Sequence, residues 1–322
     1  MRTFNSRIYP VVRAFFAGAF FFSGYHGHWR RGCISGYGHM FRWLSGRGAS
    51  RRQVEQELAR IAEPDWRRAV AALPFLQGLS AQQDEALRRR AAWLLASKIY
   101  TGVRGLEVTD SIRMSVAIQA ALPILELDPA LYEGWVEIVL YPEGFIIPRR
   151  EVDGSGVVHE YLQPASGEAW DGGPVILSWA DSAPGAPRET NVVIHEFAHK
   201  LDLHGGEADG MPSLHAHRDI RWREWRRVLE ASMDSFEDML DAVEADIPRN
   251  VDPESATASR WYDRLPLDPY AATDEAEFFA VSSEAFFVSP APLARKLPEW
   301  YGLLARYYRQ DPAARLYNTP SP

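Results

Sequence analysis

Residues 195–199 read His195-Glu196-Phe197-Ala198-His199, and they sit inside the apolar run Val192 to Leu203. A run of that composition predicts a helix buried on most sides, and buried imidazoles and carboxylates are costly unless something satisfies them. Positions four apart on a helix share a face, so His195 and His199 can turn two ring nitrogens toward one point, with Glu196 one position round the turn. A metal ion satisfies that demand. Zinc favours neutral imidazole in a tetrahedral site, and a catalytic zinc keeps one position for a water that it acidifies. A neighbouring carboxylate can take the proton of that water and hand it to a leaving amine, the role this spacing gives Glu196.

Such a site needs a third protein ligand. The short continuation H-x-x-G-x-x-H does not apply, since Asp202 stands where its glycine falls and Gly205 where its third histidine falls. Asp202 and His204 are near enough in sequence to be considered, although Gly205-Gly206 reads as the helix stop and Asp202 as a partner for a ligating imidazole. The stronger candidates are Glu277 and Glu284 in the segment Asp274 to Val288. They fall on one face of an expected helix flanked by Phe278, Phe279, Phe286 and Phe287. Asp274-x-x-Glu277 also fits a capping box, in which the Glu277 side chain would serve backbone donors instead.

Two strings carry a resemblance. Asn191 to Asp202, around the His-Glu-x-x-His, is similar to the zinc helix of the Mlc titration factor A family of zinc peptidases. Tyr270 to Val281 (Tyr270-Ala271-Ala272-Thr273-Asp274-Glu275-Ala276-Glu277-Phe278-Phe279-Ala280-Val281) resembles that family's second signature. Weaker similarity runs from about Leu73 to Pro312. The resemblance implies an α+β, zincin-like catalytic fold similar to that of the anthrax lethal factor protease. It implies zinc bound by His195, His199 and Glu277, Glu196 as general base, and Tyr270 as a donor to a developing oxyanion. It leaves Glu284 as a supporting or structural residue. It also implies hydrolysis of small peptides, with aminopeptidase action as one form. The family takes its name from capturing a glucose-responsive transcriptional repressor, so sequestration of such a partner is the competing expectation. By the same resemblance, Val175 to Trp179 is the expected edge strand along the cleft.

Composition fits an enzyme of ordinary kind: 322 residues with 46% hydrophobic content can bury a sizeable core. The lone cysteine, Cys33, excludes an internal disulfide framework and fits a reducing cytoplasm. Net charge is −8, but residues 1–54 hold nine arginines and no acid, which leaves 26 basic against 43 acidic residues beyond them. An acidic body of this kind is a poor candidate for direct nucleic acid binding.

Residues 1–48 read as an arm without regular structure, or as the product of a start codon placed too far upstream. Its apolar stretch Ala14 to Phe22 follows Arg13, lacks a small-residue cleavage site and is too short to span a bilayer, so neither a signal peptide nor a membrane span is expected. His26, His28 and His39 lie in too irregular a stretch to suggest a metal site. Residues 49–322 are expected to form the peptidase, with a helical part over 49–130 and a catalytic part over 131–322 containing a small mixed sheet.

Helices are predicted over 51–72, from Ser80 with its Ser-x-x-Gln box, and over Ser111 to Leu125 as far as Pro123. Short strands are predicted at 135–141, 145–147, 157–162 and 175–179. Asp219 to Met233 reads as an amphipathic helix with Trp222 and Trp225 in the core, and the acidic, proline-containing stretch 236–269 as a solvated loop.

Overall fold

A computed structural model describes residues 48–152, 158–185, 190–253 and 255–317. The arm, with Cys33 and its three histidines, lies outside the described residues.

The chain opens with helices α1 (Arg51–Arg60) and α2 (Glu63–Ala71). One helix was expected across 51–72. Pro64 divides it, because a proline removes a backbone donor and is tolerated only in a first turn, where it stands in α2. Helix α3 (Ala81–Ser97) starts at the anticipated capping box, Ser80 with Gln83, and α4 (Asp110–Ala121) starts on Thr109 and stops short of Pro123. Between them runs β1 (Ile99–Gly102), followed after α4 by β2 (Glu137–Tyr141), β3 (Phe145–Val152), β4 (Val158–Ala165), β5 (Gly167–Ala169) and β6 (Val175–Ser178).

The main sheet has the order β1-β2-β6-β5, its first two pairings parallel and its last antiparallel. The pair β3–β4 forms a separate hairpin. This mixed sheet corrects one expectation. The strand ahead of the histidine helix, β6, is paired on both sides and is not an edge; the edge is β5. Strand β5 was missed because three residues carry no readable period. It is held by a tight turn in which Gly172 has φ 56° and Gly173 donates to the carbonyl of Trp170.

The described chain beyond the sheet is mainly helical. After α5 (Trp179–Ser182) comes α6 (Val192–Leu203), which carries His195 to His199 and buries Val192, Val193, Ile194, Phe197, Ala198 and Leu201. Helix α7 (Trp222–Ala245) is followed by α8 (Ser259–Tyr262), α9 (Glu275–Val288), α10 (Pro290–Lys296), α11 (Pro298–Tyr308) and α12 (Pro312–Tyr317). The carboxy-terminal helices close over α6 through Trp225, Trp300, Phe278, Phe279, Phe286, Phe287, Tyr307 and Tyr308, all essentially inaccessible.

Two further expectations are overturned here. Trp225 is buried and donates to the carbonyl of Gly210 at 2.8 Å, but Trp222, in the first turn of α7, is 56% exposed. The stretch 236–269 is not simply a solvated loop. Its first ten residues continue α7, because Phe236, Leu240 and Val243 recur at helical spacing and are buried, and beyond them Ile247, Ala258, Leu265 and Leu267 are buried too.

Candidate metal centre

Helix α6 fixes the two histidines. Asn191 caps it, its side-chain oxygen accepting the Ile194 amide at 2.9 Å, and the imidazoles one turn apart bring their Nε2 atoms to 3.2 Å. Helix α9 packs against α6 and brings Glu277 to the same point. Its Oε2 lies 3.2 Å from His195 Nε2 and 3.4 Å from His199 Nε2. One donor atom from each of the three residues can be chosen so that all lie within 4.8 Å of one another, the single such grouping among the described residues. Oε2 of Glu277 is buried and makes no well-aligned hydrogen bond; its polar neighbours are the two imidazole Nε2 atoms. A buried carboxylate oxygen left this way is expensive unless a cation is meant to sit against it, and two imidazoles with one carboxylate are a donor set suited to zinc.

The alternative role for Glu277 is half realised. Asp274 accepts the Glu277 amide at 2.8 Å and caps α9, but the Glu277 side chain does not return to the cap. It accepts instead from the Tyr270 hydroxyl at 3.1 Å through Oε1. Glu284, two turns along the same face, lies with Oε2 3.4 Å from His195 Nδ1, and its other oxygen accepts the backbone amide of Asn191. One imidazole thus has Glu277 at one ring nitrogen and Glu284 at the other, an arrangement in which the outer carboxylate sets the tautomer and the tilt of the ring. Asn191 extends the support, its side-chain amide donating to Gln119 on α4 at 2.7 Å.

Glu196 is 4% exposed and sits against β5. A Cβ placed on Gly167 would come within 2.3 Å of Glu196 Oε1 and 2.6 Å of its Cγ, so the carboxylate occupies space that only glycine leaves free. Lys200 ties the same strand to α6, donating to the carbonyls of Trp170 at 2.5 Å and Gly173 at 2.8 Å in the β5–β6 turn. Nothing in the sequence marked Gly167. Replacing it with alanine is expected to displace Glu196 and lower turnover at least tenfold, while metal content stays at the wild-type level; parallel assays of both quantities check this.

Burial alone would depress both imidazoles, but Glu277, joined at His195 by Glu284, outweighs it and raises His195 well above the ordinary value and His199 above it. Burial pushes Glu277 upward, and the two imidazoles more than reverse this, pulling it far below the usual carboxylate range. Burial raises Glu196, and the hydroxyl of Tyr270 is raised by burial and then by Glu277.

The remaining candidates stand apart from this cluster. Asp202 is fully buried, but it accepts the Gly210 amide at 2.8 Å and burial lifts its pKa to about 7. His204 is the exposed C-cap of α6.

Helix-borne imidazoles that converge with a carboxylate beside a buried glutamate are the arrangement of metallopeptidases as a class. Residues 47–309 match the family described as glucose-regulated metallo-peptidase M90, and the chain belongs to that family. It is 37% identical over 253 residues to Mlc titration factor A of Serratia proteamaculans, covering 78% of this chain and 88% of the relative. The Klebsiella pneumoniae protein of the same name is 36% identical over 256 residues, covering 79% and 89%. That of Yersinia pestis is 35% identical over 253 residues, covering 78% and 86%.

Proposed function

We propose that this chain is a zinc-dependent peptidase acting on small peptides, with His195, His199 and Glu277 as the metal ligands, Glu196 as general base and Tyr270 as a donor to the carbonyl oxygen under attack. The observation that carries the reading is the convergence of two imidazole nitrogens and the buried carboxylate of Glu277 on one point. When bound there, zinc supplies polarisation of the peptide carbonyl and acidification of the attacking water.

The other roles belong to side chains. Burial raises the Glu196 carboxylate toward the range where a base can both accept a proton from water and return it to a leaving amine, and Gly167 keeps it seated for both transfers. His195 is held by Glu284. Strand β5, which begins at Gly167, is the sheet edge beside Glu196 and is assigned to pairing with a substrate main chain.

Tyr270 tests the assignment most finely. Its hydroxyl helps only as charge develops on the carbonyl oxygen, and Tyr270→Phe keeps the ring. That variant is expected to retain zinc and stability with KM little changed, while kcat falls about ten- to a thousandfold. A rise in KM at constant kcat would reassign Tyr270 to substrate binding, and an unfolded variant to packing.

Removal of the amino-terminal residue is the more specific form of the proposal. Hydrolysis of one set of short peptides, with free and with acetylated amino termini and with and without chelator, separates the cases. Cleavage of free termini alone supports an aminopeptidase, cleavage of both an endopeptidase, and cleavage unaffected by chelator neither.

The relatives' name favours a second reading, in which this chain also holds a transcriptional repressor as their name has them titrate Mlc. A cytoplasmic location is proposed with both readings, on the single cysteine of the sequence. No helix among the described residues is long and apolar enough to cross a membrane. Residues 49–322 are assigned to the peptidase, the helical part over 49–130 supporting the catalytic part over 131–322.

A further inference from the structure

Helix α7 carries its charges in the wrong order for a helix standing alone. Over 24 residues it buries Trp225, Val228, Leu229, Phe236, Leu240 and Val243, and the opposite stripe reads Arg223, Arg227, Glu230, Asp234, Asp238, Asp241. Cations thus occupy the amino-terminal end and carboxylates the carboxy-terminal end, each opposed to the helix dipole.

Arg223, Arg227, Asp234 and Asp238 of this stripe are at most weakly paired among the described residues. Among the described residues, Arg223, Asp234 and Asp238 make no ion pair. Arg227 lies 3.6 Å from Glu299, with both side chains more than 60% exposed, and also acts on Glu224 of its own helix. Glu237 is raised by burial and then by Asp234, Asp241, Asp238 and Glu275, the signature of crowded like charges. At the basic end Trp222 is 56% exposed, with the guanidinium groups of Arg223 and Arg226 5.8 and 5.7 Å from its ring centre.

The geometry points to α7 as the contact surface of a symmetric dimer, in which the helices of two copies of this chain lie antiparallel and the basic half of each meets the acidic half of the other. The register follows from the spacing. Arg227 and Asp234, and equally Arg223 and Asp238, are placed symmetrically about the midpoint between Glu230 and Ala231. A single dyad through that midpoint therefore forms four ion pairs, which flank the two Glu230 side chains that meet at the axis. An antiparallel partner also opposes the two dipoles favourably. The interface is self-complementary, as a two-fold axis requires. An unrelated acidic protein could meet only the basic half and would leave the carboxylates crowded.

Sedimentation velocity on the full chain tests this, from micromolar to several hundred micromolar, at low and high salt. A reversible dimer is expected, weakened about tenfold or more by high salt because the contact is carried by exposed charge. The double variants Arg223→Asp/Arg227→Asp and Asp234→Arg/Asp238→Arg are each expected to be monomeric alone and to form a heterodimer when mixed. A chain that stays monomeric at the highest concentration in low salt overturns the proposal. So does a dimer indifferent to salt, a dimer that survives both reversals, or a mixture that fails to pair. All four substituted residues are exposed, and circular dichroism checks that the variants fold; should one not, the salt dependence of the unaltered chain decides.

Discussion

Glu196→Gln is expected to retain zinc and to lose hydrolysis by about a hundred- to ten-thousandfold, the range that a positioned general base supplies. The reason lies in placement. Glu196 is on the ligand helix, but its carboxylate is pressed against Gly167 of β5 and stands outside the cluster of His195, His199 and Glu277. Glutamine keeps the shape and removes the basicity, so metal content and stability should stay near wild type while turnover collapses. Bound zinc and turnover measured on one preparation check both halves. Loss of metal along with activity would make Glu196 a ligand, and undiminished turnover would remove it from the mechanism.

The second large effect separates the two glutamates of α9. Glu277→Ala is expected to give up zinc on mild dialysis, because it deletes the one carboxylate that meets both imidazole Nε2 atoms. Glu284→Ala leaves all three donors in place, loosens the His195 ring and strands the Asn191 amide at the start of the histidine helix, which is expected to cost about 10–100-fold in affinity without emptying the site. Competition with a fluorescent chelator measures both constants. If Glu284→Ala is the variant that loses its metal, the ligand assignment is reversed.

The two glutamates show what was legible in the sequence. A separation of seven residues is close to two full turns, so both were bound to share a face, and spacing alone could not say which was the ligand. Packing of α9 on α6 distributes them, one to each nitrogen of His195. The histidine helix, its neighbour α9 and the Ser80 box were readable because period and cap chemistry agree locally.

What was not readable depends on contacts distant in sequence. Strand β5 is three residues long and acquires its place only by pairing with β6, so the edge was assigned one strand too far inward. Gly167 matters through a contact with Glu196, 29 positions away, that no local pattern announces. Trp222 and Trp225 share a pattern, but the core ends between them, leaving the first in solvent and the second buried. The acidic composition of the stretch from Phe236 onward concealed three apolar residues at helical spacing, Phe236, Leu240 and Val243, enough to carry α7 on to Ala245.

The proposed chemistry requires that His195, His199 and Glu277 hold a single zinc ion on which peptide hydrolysis depends. The most direct measurement is a titration of chelator-stripped protein with zinc, following bound metal and peptide hydrolysis together. Activity is predicted to be absent at the start, to rise in proportion to metal and to level off at one equivalent, with neither signal appearing in the His195→Ala/His199→Ala variant. Full hydrolysis by the stripped protein, or an equivalent of zinc bound just as tightly by that double variant, would contradict it.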